Sequence, residues 1–447
     1  MFLKSIMQDY KRTVKNCFLN TGTLLDLATG DFRPGKNNSM VLNGGIFTTN
    51  SICGREQTYK SAIAGGYFGR ILNNYSEATG LAWETELSLQ GKSRLLNISG
   101  LTINPIEDRF EYYDSTEVGL EDVFEIIKKL SAERTKNVKQ YIRETPFIGG
   151  DGKFIQALDP VIVLMDSWSA ATSSKEISLF EENKIGDSKV NMVAMNDGRI
   201  KSDFARQLPY LCGSKGIYII STAHIGDQNN LDPYSAPQKD LPMMRASDKL
   251  KHVGTQYSFL STNMIETSKV NPLQDTEKRC LYPNNGGSDV ELQSITSVVT
   301  RCKNNVSGDP FTHISSQFYG IQEWLEYYNV IKESRSALLE GTQNQRLGIH
   351  DQEFTRKTIR KCIESDPTFR RALEILGQFA FIRERWNVPE IKAMGFVEFC
   401  KKFNESKTLK DEMLNSTGIW QFNDNKSKAT LPYMSIIDII NRINQKK

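Results

Sequence analysis

The sequence predicts an α/β fold in which a largely parallel central sheet is flanked by helices. Residues 21–325 alternate short apolar strands with helical stretches, the pattern of a sheet built from strand–helix–strand units. Residues 326–447 are mostly helical by periodicity and rich in Lys and Glu, with their clearest apolar stripe at 435–443. A further amphipathic helix is predicted at residues 1–20. The chain therefore divides into an N-terminal helix, an α/β core and a helical C-terminal region.

The first twenty residues carry apolar side chains at helical spacing. These are Phe2, Leu3, Ile6, Met7, Tyr10, Val14, Cys17 and Phe18. Charged residues between Asp9 and Lys15 interrupt any apolar segment, so the stretch is not typical of a signal peptide. We expect one helix whose apolar stripe has no partner in its own sequence neighbourhood.

Composition indicates a soluble globular protein. Of the 447 residues, 39% are hydrophobic and 24% are charged, and the net charge of +3 permits a nucleic-acid partner without arguing for one. The longest apolar runs, such as that at 161–165, are too short to cross a bilayer, so no membrane partner is expected. Seven cysteines without a C-x-x-C pair and four scattered histidines fit a reducing cytoplasm better than a disulfide framework or a zinc site.

The stretch CGREQTYKSA at residues 53–62 has the frame of a phosphate-binding loop, G-x-x-x-x-G-K-[ST], except that Tyr59 replaces the second glycine. A β-rich stretch precedes it, and a stretch that can form a helix comes after it. Backbone N–H groups of the loop and of the first helical turn would point at phosphates, with Lys60 adding a positive charge and Ser61 a hydroxyl for Mg²⁺. An ordinary strand-to-helix turn fits the same residues, and the loop alone leaves both interpretations open.

Carboxylates stand at the ends of two further predicted strands. PVIVLMDSWSA at 160–170 is typical of a buried strand that ends at Asp166, where a carboxylate can hold the hydration shell of Mg²⁺. GLAWETELSL at 80–89 predicts a strand whose end carries Glu84 and Glu86, and a carboxylate there can orient and deprotonate water. The alternatives are a strand that merely ends at an exposed Asp, and two alternating glutamates on an edge strand.

KGIYIISTAHIGDQ at 215–228 predicts another buried strand, which ends in the polar residues Ser221, Thr222 and His224. One interpretation is a capped strand end. The other is a sensor, a polar group that detects the γ-phosphate and moves the loop after it.

The order of these motifs resembles the RecA-type recombinases, most closely the phage branch of the UvsX type. NTGTLLDLATGDFRPG at 20–35 precedes the phosphate loop, and that branch is similar in carrying a bulky aromatic before the loop lysine. MDSWSAATSSKE and KSDFARQLPYLCGSKGIYIISTAHIGDQ also resemble it. SITSVVTRCKNNVSG at 294–308 and FYGI at 318–321 resemble the family's last core strands, and IRKCIESDPTFRRALEIL at 359–376 resembles a helical piece of its C-terminal region. The resemblance covers most of residues 20–325 and part of the C-terminal region.

The resemblance implies a RecA-like P-loop ATPase core at 21–325, with residues 1–20 as an oligomerisation helix. It implies a DNA-dependent ATPase, with ATP and Mg²⁺ as cofactors, that forms a homo-oligomeric helical filament on single-stranded DNA. Such a filament exchanges strands with homologous duplex DNA in recombination, repair and replication. A loader protein and a single-stranded-DNA-binding protein would be further partners. A phage origin would place the protein in the cytoplasm of the bacterial host cell.

Carried over position by position, the resemblance implies roles for individual residues. Lys60 and Glu86 would be catalytic, with Glu86 activating water. Ser61 and Asp166 would support Mg²⁺, and His224 would be the sensor that couples nucleotide to DNA. The ATP-binding residues would be Gly54, Arg55, Glu56, Gln57, Thr58, Tyr59, Lys60 and Ser61.

Two DNA-facing loops are expected near 171–200 and 227–254, after the strands of Asp166 and His224. Both contain basic and flexible residues, and basic loops can track a phosphate backbone, although a solvated charged loop has the same sequence signature. The candidates are Lys175, Lys184, Lys189 and Arg199 in the first loop, and Arg245, Lys249, Lys251 and Gly254 in the second.

The chain departs from the family in several places. The segment after His224 keeps one glycine where several are expected, and residues 270–292 look like an insertion. No residue matches the family's cation that reaches the neighbouring subunit's phosphate, for which Lys249, Lys251 and Lys269 are candidates only. A ring-forming DNA motor such as a replicative helicase would share the ATPase core, because these motifs do not distinguish a filament from a ring. A DNA-binding protein without turnover is a third possibility, against which the combined loop and carboxylates argue.

Overall fold

A computed structural model of the protein describes most of the chain. The described residues are 14–86, 91–100, 107–174, 176–178, 188–228, 239–245, 247–254, 256–284, 292–304, 307–334, 338–423 and 431–445, with backbone alone at 188–196. None of the described helices combines the length and the apolarity that crossing a membrane requires.

The strands lie mostly in the region where the sequence predicts the α/β core. In chain order they are β1 (Asp31–Pro34), β2 (Met40–Asn43), β3 (Thr49–Gly54), β4 (Thr79–Glu84), β5 (Phe110–Asp114), β6 (Ile142–Ile148), β7 (Phe154–Leu158), β8 (Val161–Asp166), β9 (Ile217–Asp227), β10 (Asp248–Leu250), β11 (Asn263–Pro272), β12 (Gln293–Cys302), β13 (Pro310–Ser316), β14 (Gly320–Ile321), β15 (Leu339–Glu340), β16 (Gln345–Leu347) and β17 (Glu353–Phe354).

Helices alternate with the strands and dominate the last third of the chain. In chain order they are α1 (Leu24–Thr29), α2 (Lys60–Asn74), α3 (Lys92–Ser99), α4 (Leu120–Lys136), α5 (Val138–Tyr141), α6 (Ser188–Cys212), α7 (Tyr257–Leu260), α8 (Glu323–Glu333), α9 (Ile359–Ser365), α10 (Pro367–Arg385), α11 (Pro389–Lys392), α12 (Phe396–Asn404), α13 (Lys407–Leu414) and α14 (Ile436–Gln445). Single 3₁₀ turns occur at Lys36–Asn38 and Glu107–Arg109.

The central sheet has ten strands within the described part of the chain, in the order β14-β13-β12-β11-β3-β9-β8-β4-β5, with β10 paired to β9. The run from β11 to β5 is parallel throughout. β12, β13 and β14 extend it in antiparallel fashion, and β10 is antiparallel to β9. The predicted α/β fold with a mostly parallel central sheet flanked by helices is confirmed.

The sheet is buried on both faces, as its parallel strands require. All six residues of β8 are buried, and their side chains alternate between two hydrophobic clusters. Ile162 and Leu164 join a cluster that contains much of α2. Val163 and Met165 join a second cluster, which contains apolar residues of α4 and α6. This alternation explains why β8 reads in sequence as an uninterrupted apolar run.

The C-terminal helices share the first of these hydrophobic clusters with the sheet and with α2. Tyr327 and Phe369 are buried in it, together with most apolar residues of α10 and α14. The predicted boundary between residues 325 and 326 falls inside α8, so the core and the helical region pack as continuous structure. The polar segment 341–348 contains β16 of a small three-stranded sheet, and Leu347 is buried there.

A buried polar chain joins α2 to α8 across this cluster. The hydroxyl of Tyr67 lies 2.6 Å from Nε2 of His313, and Nδ1 of His313 lies 2.6 Å from the carboxylate of Glu326. The side chains of His313 and Glu326 are fully buried, and Tyr67 is buried too. Their polar atoms satisfy one another in a region with no access to water.

Residues 14–20 are not helical, contrary to the helix predicted at 1–20. The segment is extended, with a bridge from Val14 to Gln156 and another from Leu19 to Ile46. Phe18 is buried as well, so this segment packs on the protein's own core. The rest of the predicted helix, residues 1–13, lies outside the described residues, and its oligomerisation role stays a prediction.

Candidate active site

The predicted functional residues meet at one edge of the central sheet. The parallel strands β3, β9, β8 and β4 are neighbours in that order, so their carboxyl ends lie at the same edge, where open α/β sheets bind ligands. A cavity of 810 Å³ opens there. It is lined by Glu56, Gln57, Thr58, Tyr59, Lys60, Ser61, Ala62, Glu86, Arg94, Ile98, Asp166, Thr222, His224, Val270, Gln293 and Gln317.

The loop from β3 to α2 places a left-handed residue directly before the helix. Tyr59 has φ of 62° and Gln57 has φ of 58°, a region that glycine enters readily and bulky side chains seldom occupy. Tyr59 stands where the phosphate-loop motif has its second glycine, and the left-handed turn gives a physical reason for glycine there. The tyrosine adopts this conformation at a cost of about 1–2 kcal/mol. The chain then enters α2 at Lys60.

Gly54 ends β3 at a point with no space for a side chain. A Cβ there would lie 2.4 Å from the hydroxyl oxygen of Thr58 and 2.4 Å from that of Thr267. Thr267 donates a hydrogen bond to the Thr58 hydroxyl (2.9 Å), which donates to the carbonyl of Arg55 (2.8 Å). The loop is therefore closed on itself and fixed to β11.

Lys60 points its ammonium into the loop rather than into solvent. The residue is 8% exposed, and Nζ donates to the carbonyl of Arg55 at 2.8 Å. Burial lowers the pKa of Lys60, and the nearby carboxylates of Glu86 and Asp166 oppose that shift. A cation held here, beside the N-terminus of a fifteen-residue helix, is suited to an anionic ligand.

Asp166, the last residue of β8, is buried and accepts a hydrogen bond from the Thr222 hydroxyl on Oδ1. The Ser61 hydroxyl lies near the same carboxylate. Burial raises the pKa of Asp166 to about 6, and the two hydroxyls oppose the shift. Among the described residues, the buried Oδ2 has no hydrogen-bond partner.

Ser61 and Asp166 fit a magnesium ion bound beside phosphates. Mg²⁺ keeps several waters and is usually held through one or two carboxylates together with substrate phosphates. The unpartnered Oδ2 of Asp166 can accept a hydrogen bond from such a water, and the Ser61 hydroxyl lies on the same carboxylate. No group of three or more His, Cys, Asp or Glu side chains in the described ranges could hold a metal ion by itself.

Glu86 lies two residues beyond the end of β4 and is hydrogen-bonded on one oxygen. Oε1 accepts from the Ser167 hydroxyl at 2.6 Å and lies 2.7 Å from Nε2 of His224. The hydrogen bond with His224 lowers the pKa of Glu86, with the Ser167 bond acting in the same direction and burial opposing both. The side chain is 30% exposed and lines the cavity. It is thus an ionised, accessible proton acceptor.

Glu84 does not reach the cavity. Its side chain is buried within β4 and accepts a hydrogen bond from the Tyr112 hydroxyl at 3.1 Å. β4 lies between β8 and β5, so the alternative of two glutamates on an edge strand is wrong. Of the two glutamates that the sequence leaves open, Glu86 is the one at the site.

One strand contacts both acidic residues of the site. Thr222 and His224 are two residues apart on β9, so their side chains lie on the same face of the strand. Thr222 contacts Asp166, and His224 contacts Glu86. β9 continues to Asp227, so His224 lies within the strand rather than at its end, contrary to the sequence prediction.

Arg55 belongs to the loop, but its side chain points away from the cavity. The guanidinium donates to Asp227 at 2.6 Å and to Asp248 at 2.8 Å. Asp227 ends β9 and Asp248 begins β10, so the loop is tied to this two-stranded ribbon. The Arg55 side chain and Gly54 do not line the cavity, unlike the other predicted ATP-binding residues.

Sequence reasoning missed several residues of the site. Ser167 hydrogen-bonds the carboxylate of Glu86, and Arg94 on α3 lines the cavity with Gln293 and Gln317 from the antiparallel part of the sheet. The one sequence signal for Ser167 was its position directly after Asp166, because a residue that follows the end of a strand lies close to the site formed at that strand end. The other three come from distant segments that no spacing rule joins to the loop.

The predicted DNA-binding residues fall in several settings. Lys175 and Lys184 lie outside the described residues, as does the side chain of Lys189. Residues 188–200 of the first predicted loop belong to α6, where Arg199 is exposed, so that part of the loop prediction is wrong.

The second predicted loop is partly a strand. Lys249 lies on β10, Arg245 and Lys249 are exposed, and Lys251 donates through Nζ to the carbonyl of Asp227 at 2.6 Å. Gly254 is a packing residue with φ of 80°. DNA binding by these residues stays a prediction.

No model of a known protein family matches the chain, and no curated protein matches it. The chemistry of the site therefore has to be inferred from the residues that form it.

Proposed function

We propose that the protein is a Mg²⁺-dependent ATPase of the RecA-type recombinase family, whose hydrolysis is coupled to single-stranded DNA. One observation carries the proposal. Five residues that separate sequence motifs single out line the same cavity at the carboxyl edge of a parallel sheet. They are Lys60, Ser61, Glu86, Asp166 and His224.

The loop and the start of α2 would bind the triphosphate. The first N–H groups of a helix have no partners within it, and the helix dipole favours negative charge at that end. The buried ammonium of Lys60 adds a positive charge at the same place, where a phosphate oxygen can replace the Arg55 carbonyl as its acceptor. ATP is the nucleotide that this loop would bind.

Glu86 would act as the general base. Both hydrogen bonds within the described residues fall on Oε1, so Oε2 is available to take a proton from water. The Ser167 and His224 bonds also fix the direction of the carboxylate, which proton transfer requires. A lowered pKa keeps Glu86 ionised at neutral pH.

Ser61 and Asp166 would hold the hydrated magnesium ion, which would neutralise charge on the phosphates when bound. Thr222 keeps the Asp166 carboxylate oriented through its hydrogen bond to Oδ1. His224, which shares a strand face with Thr222, would respond to the nucleotide by exchanging its contact with Glu86 for one to the γ-phosphate.

The DNA part of the proposal is supported by the resemblance of residues 20–325 to recombinases. It is also supported by exposed basic residues on the segments after β8 and β9, among them Arg199, Arg245 and Lys249. Basic segments of this kind bind phosphate backbones through charge. An open helical filament, built by head-to-tail contacts that do not close, is the assembly proposed.

The proposal is tested by ATP hydrolysis with and without single-stranded DNA, together with electron microscopy of the DNA-bound protein. We expect Mg²⁺-dependent hydrolysis that single-stranded DNA stimulates, and helical filaments. Absence of hydrolysis in the full-length protein under both conditions would overturn the enzymatic proposal. Hydrolysis by closed rings would instead favour a helicase-like motor.

A further inference from the structure

Three consecutive backbone carbonyls, those of residues 251–253, are each held by a side chain from another part of the chain. The Ser169 hydroxyl donates to the first (2.8 Å), the Lys201 ammonium to the second (3.1 Å) and the Trp168 indole N–H to the third (3.0 Å). This arrangement fixes the segment 247–254 to the residues directly after β8 and to α6.

Lys201 is the charged centre of this arrangement. Its side chain on α6 is 2% exposed, and Nζ lies 2.9 Å from the carboxylate of Asp197, one turn earlier. Nζ also donates to the carbonyls of Ser169 (3.3 Å) and His252 (3.1 Å). The Asp197 carboxylate and the two carbonyls provide three acceptors, one for each N–H of the ammonium group, so each N–H of this buried cation has a hydrogen-bond partner.

The arrangement continues to the catalytic residues through the backbone of His224. The Ser169 hydroxyl accepts a hydrogen bond from the N–H of His224 at 2.9 Å, and the N–H of Lys251 donates to the carbonyl of His224 at 2.9 Å. The imidazole of His224 contacts Glu86. Two hydrogen bonds, one from Nζ of Lys201 to the carbonyl of Ser169 and one from the N–H of His224 to the Ser169 hydroxyl, therefore connect the buried ammonium to β9.

The segment 247–254 also presents an exposed lysine, Lys249 on β10. Gly254 lets the segment lie against α6, because a Cβ at this position would be 2.9 Å from the carbonyl of Gly198. Asp248 receives the Arg55 guanidinium from the phosphate loop at 2.8 Å. The segment thus contacts the loop between β3 and α2 through Asp248 and carries the exposed Lys249.

We infer that Lys201 is a positioning residue that couples the nucleotide cavity to the basic segment 247–254. The inference rests on the proposed function and deepens it by naming the link between DNA and hydrolysis. A nucleic-acid strand that binds Lys249 displaces the segment, and the clamped carbonyls transmit the displacement through Ser169 to His224 and so to Glu86. Without Lys201 the segment keeps its hydrogen bonds to β9 but loses the link from the His252 carbonyl to Ser169 and α6, so less of the displacement reaches the residues after β8.

The test compares DNA stimulation of hydrolysis in the wild type and in Lys201→Met, which keeps the length of the side chain and removes its donors. We expect ATP affinity and the unstimulated rate to stay within about twofold, while DNA stimulation falls about fivefold or more, the range of ordinary coupling between sites. Trp168→Phe removes the hydrogen bond to the third carbonyl and should lower stimulation in the same direction. If Lys201→Met does not fold, Trp168→Phe provides the test of DNA stimulation in its place.

Arg371→Met is the matched control. Arg371 is a buried cation paired with Glu374 on the same helix at 2.6 Å, in the C-terminal region. This variant should lower the melting temperature and leave the ratio of stimulated to unstimulated rates unchanged. Parallel loss of both rates in Lys201→Met would show a merely structural role and overturn the inference, as would full DNA stimulation in that variant. If DNA does not stimulate hydrolysis by the wild type, the inference and the DNA part of the proposed function are both overturned. The proposed ATPase activity is then unaffected.

Discussion

The imidazole of His224 lies 2.7 Å from the carboxylate of Glu86. The residue predicted to sense the nucleotide is therefore in direct contact with the residue predicted to activate water. Any movement of His224 toward a phosphate would change the hydrogen bonding of Glu86 at the same moment. Through this hydrogen bond, a nucleotide that binds in the cavity and attracts His224 would change the ability of Glu86 to accept a proton from water.

Glu86→Gln should slow ATP hydrolysis by roughly 10²–10⁴-fold while ATP and DNA binding are kept, because the amide cannot accept the proton. The measurement is single-turnover hydrolysis beside equilibrium nucleotide binding. Glu84→Gln is the control, since Glu84 is buried against Tyr112 and should affect stability more than turnover. Equal loss of turnover in the two variants would contradict the assignment.

Lys60→Ala should weaken ATP binding about tenfold or more, because hydrogen bonds to charged groups contribute about 1.5–3 kcal/mol. Arg55→Ala removes a cation from the same loop whose side chain points away to Asp227 and Asp248, so it should weaken binding much less. Isothermal titration with a non-hydrolysable ATP analogue separates the two. Similar affinities for Lys60→Ala and the wild type would count against the loop.

Tyr59→Gly and Tyr59→Val test the left-handed residue of the loop. Glycine adopts φ of 62° without strain, whereas a β-branched side chain is strongly disfavoured there. We expect Tyr59→Val to be less stable than Tyr59→Gly by about 1–2 kcal/mol and to bind ATP more weakly. Chemical denaturation and nucleotide titration provide both numbers, and the reverse order of stabilities would be inconsistent with this backbone.

Asp166→Asn should change the pH dependence of stability in the absence of nucleotide and magnesium. The pKa of Asp166 is raised to about 6 by burial, so the folded state holds the proton more tightly than the unfolded chain does. The contribution of Asp166 to stability is therefore present below pH 4 or so and is lost as pH rises through about 6, a change on the order of 3 kcal/mol in the free energy of unfolding.

Melting curves of this variant and the wild type measure that loss. The free energy of unfolding of the variant should rise relative to that of the wild type by about 2 kcal/mol between pH 4.5 and 7, which is most of the total change. Hydrolysis should fall in the variant at every pH. A difference in melting temperature that does not depend on pH would rule out an elevated pKa.

Two deletions separate the roles of the N-terminal segment. Removing residues 1–20 should destabilise the fold, because Phe18 and Leu19 are buried and each such side chain contributes roughly 1.5–3 kcal/mol. Removing residues 1–13 leaves those contacts, so the melting temperature should stay close to that of the full chain while assembly on single-stranded DNA decreases. Sedimentation with a melting curve measures both, and undiminished assembly of the shorter deletion would exclude a docking role.

Strands and helices with a clear hydrophobic pattern could be predicted from the sequence. The residues that complete the candidate site could be predicted only in part. β8 and its terminal Asp166 are evident because a strand buried on both faces needs an unbroken apolar run. The loop before α2 could be predicted as a strand-to-helix connection, although its residues alone leave both a phosphate-binding loop and an ordinary turn open. The strand pattern does not distinguish Glu86 from Glu84; the resemblance favours Glu86, and the structure shows Glu84 buried and Glu86 lining the cavity.

Other features escaped prediction because tertiary contacts decide them. Residues 14–20 have helical spacing, yet they lie extended because Leu19 pairs with Ile46 and Phe18 stacks on Phe47. Pairing with another segment overrides local periodicity in such a case. Arg94 reaches the cavity from a helix whose sequence carries no motif.

The buried chain from Tyr67 through His313 to Glu326 makes the two halves of the protein a single folding unit. A chain cut before α8 would keep the phenol and the imidazole in the core but lose the carboxylate that pairs with Nδ1 of the imidazole. Unsatisfied polar groups in such a place oppose folding strongly. The helix that starts at Lys60 thus depends on the C-terminal region for its packing, and residues 21–325 expressed without α8 and the helices after it should lose stability.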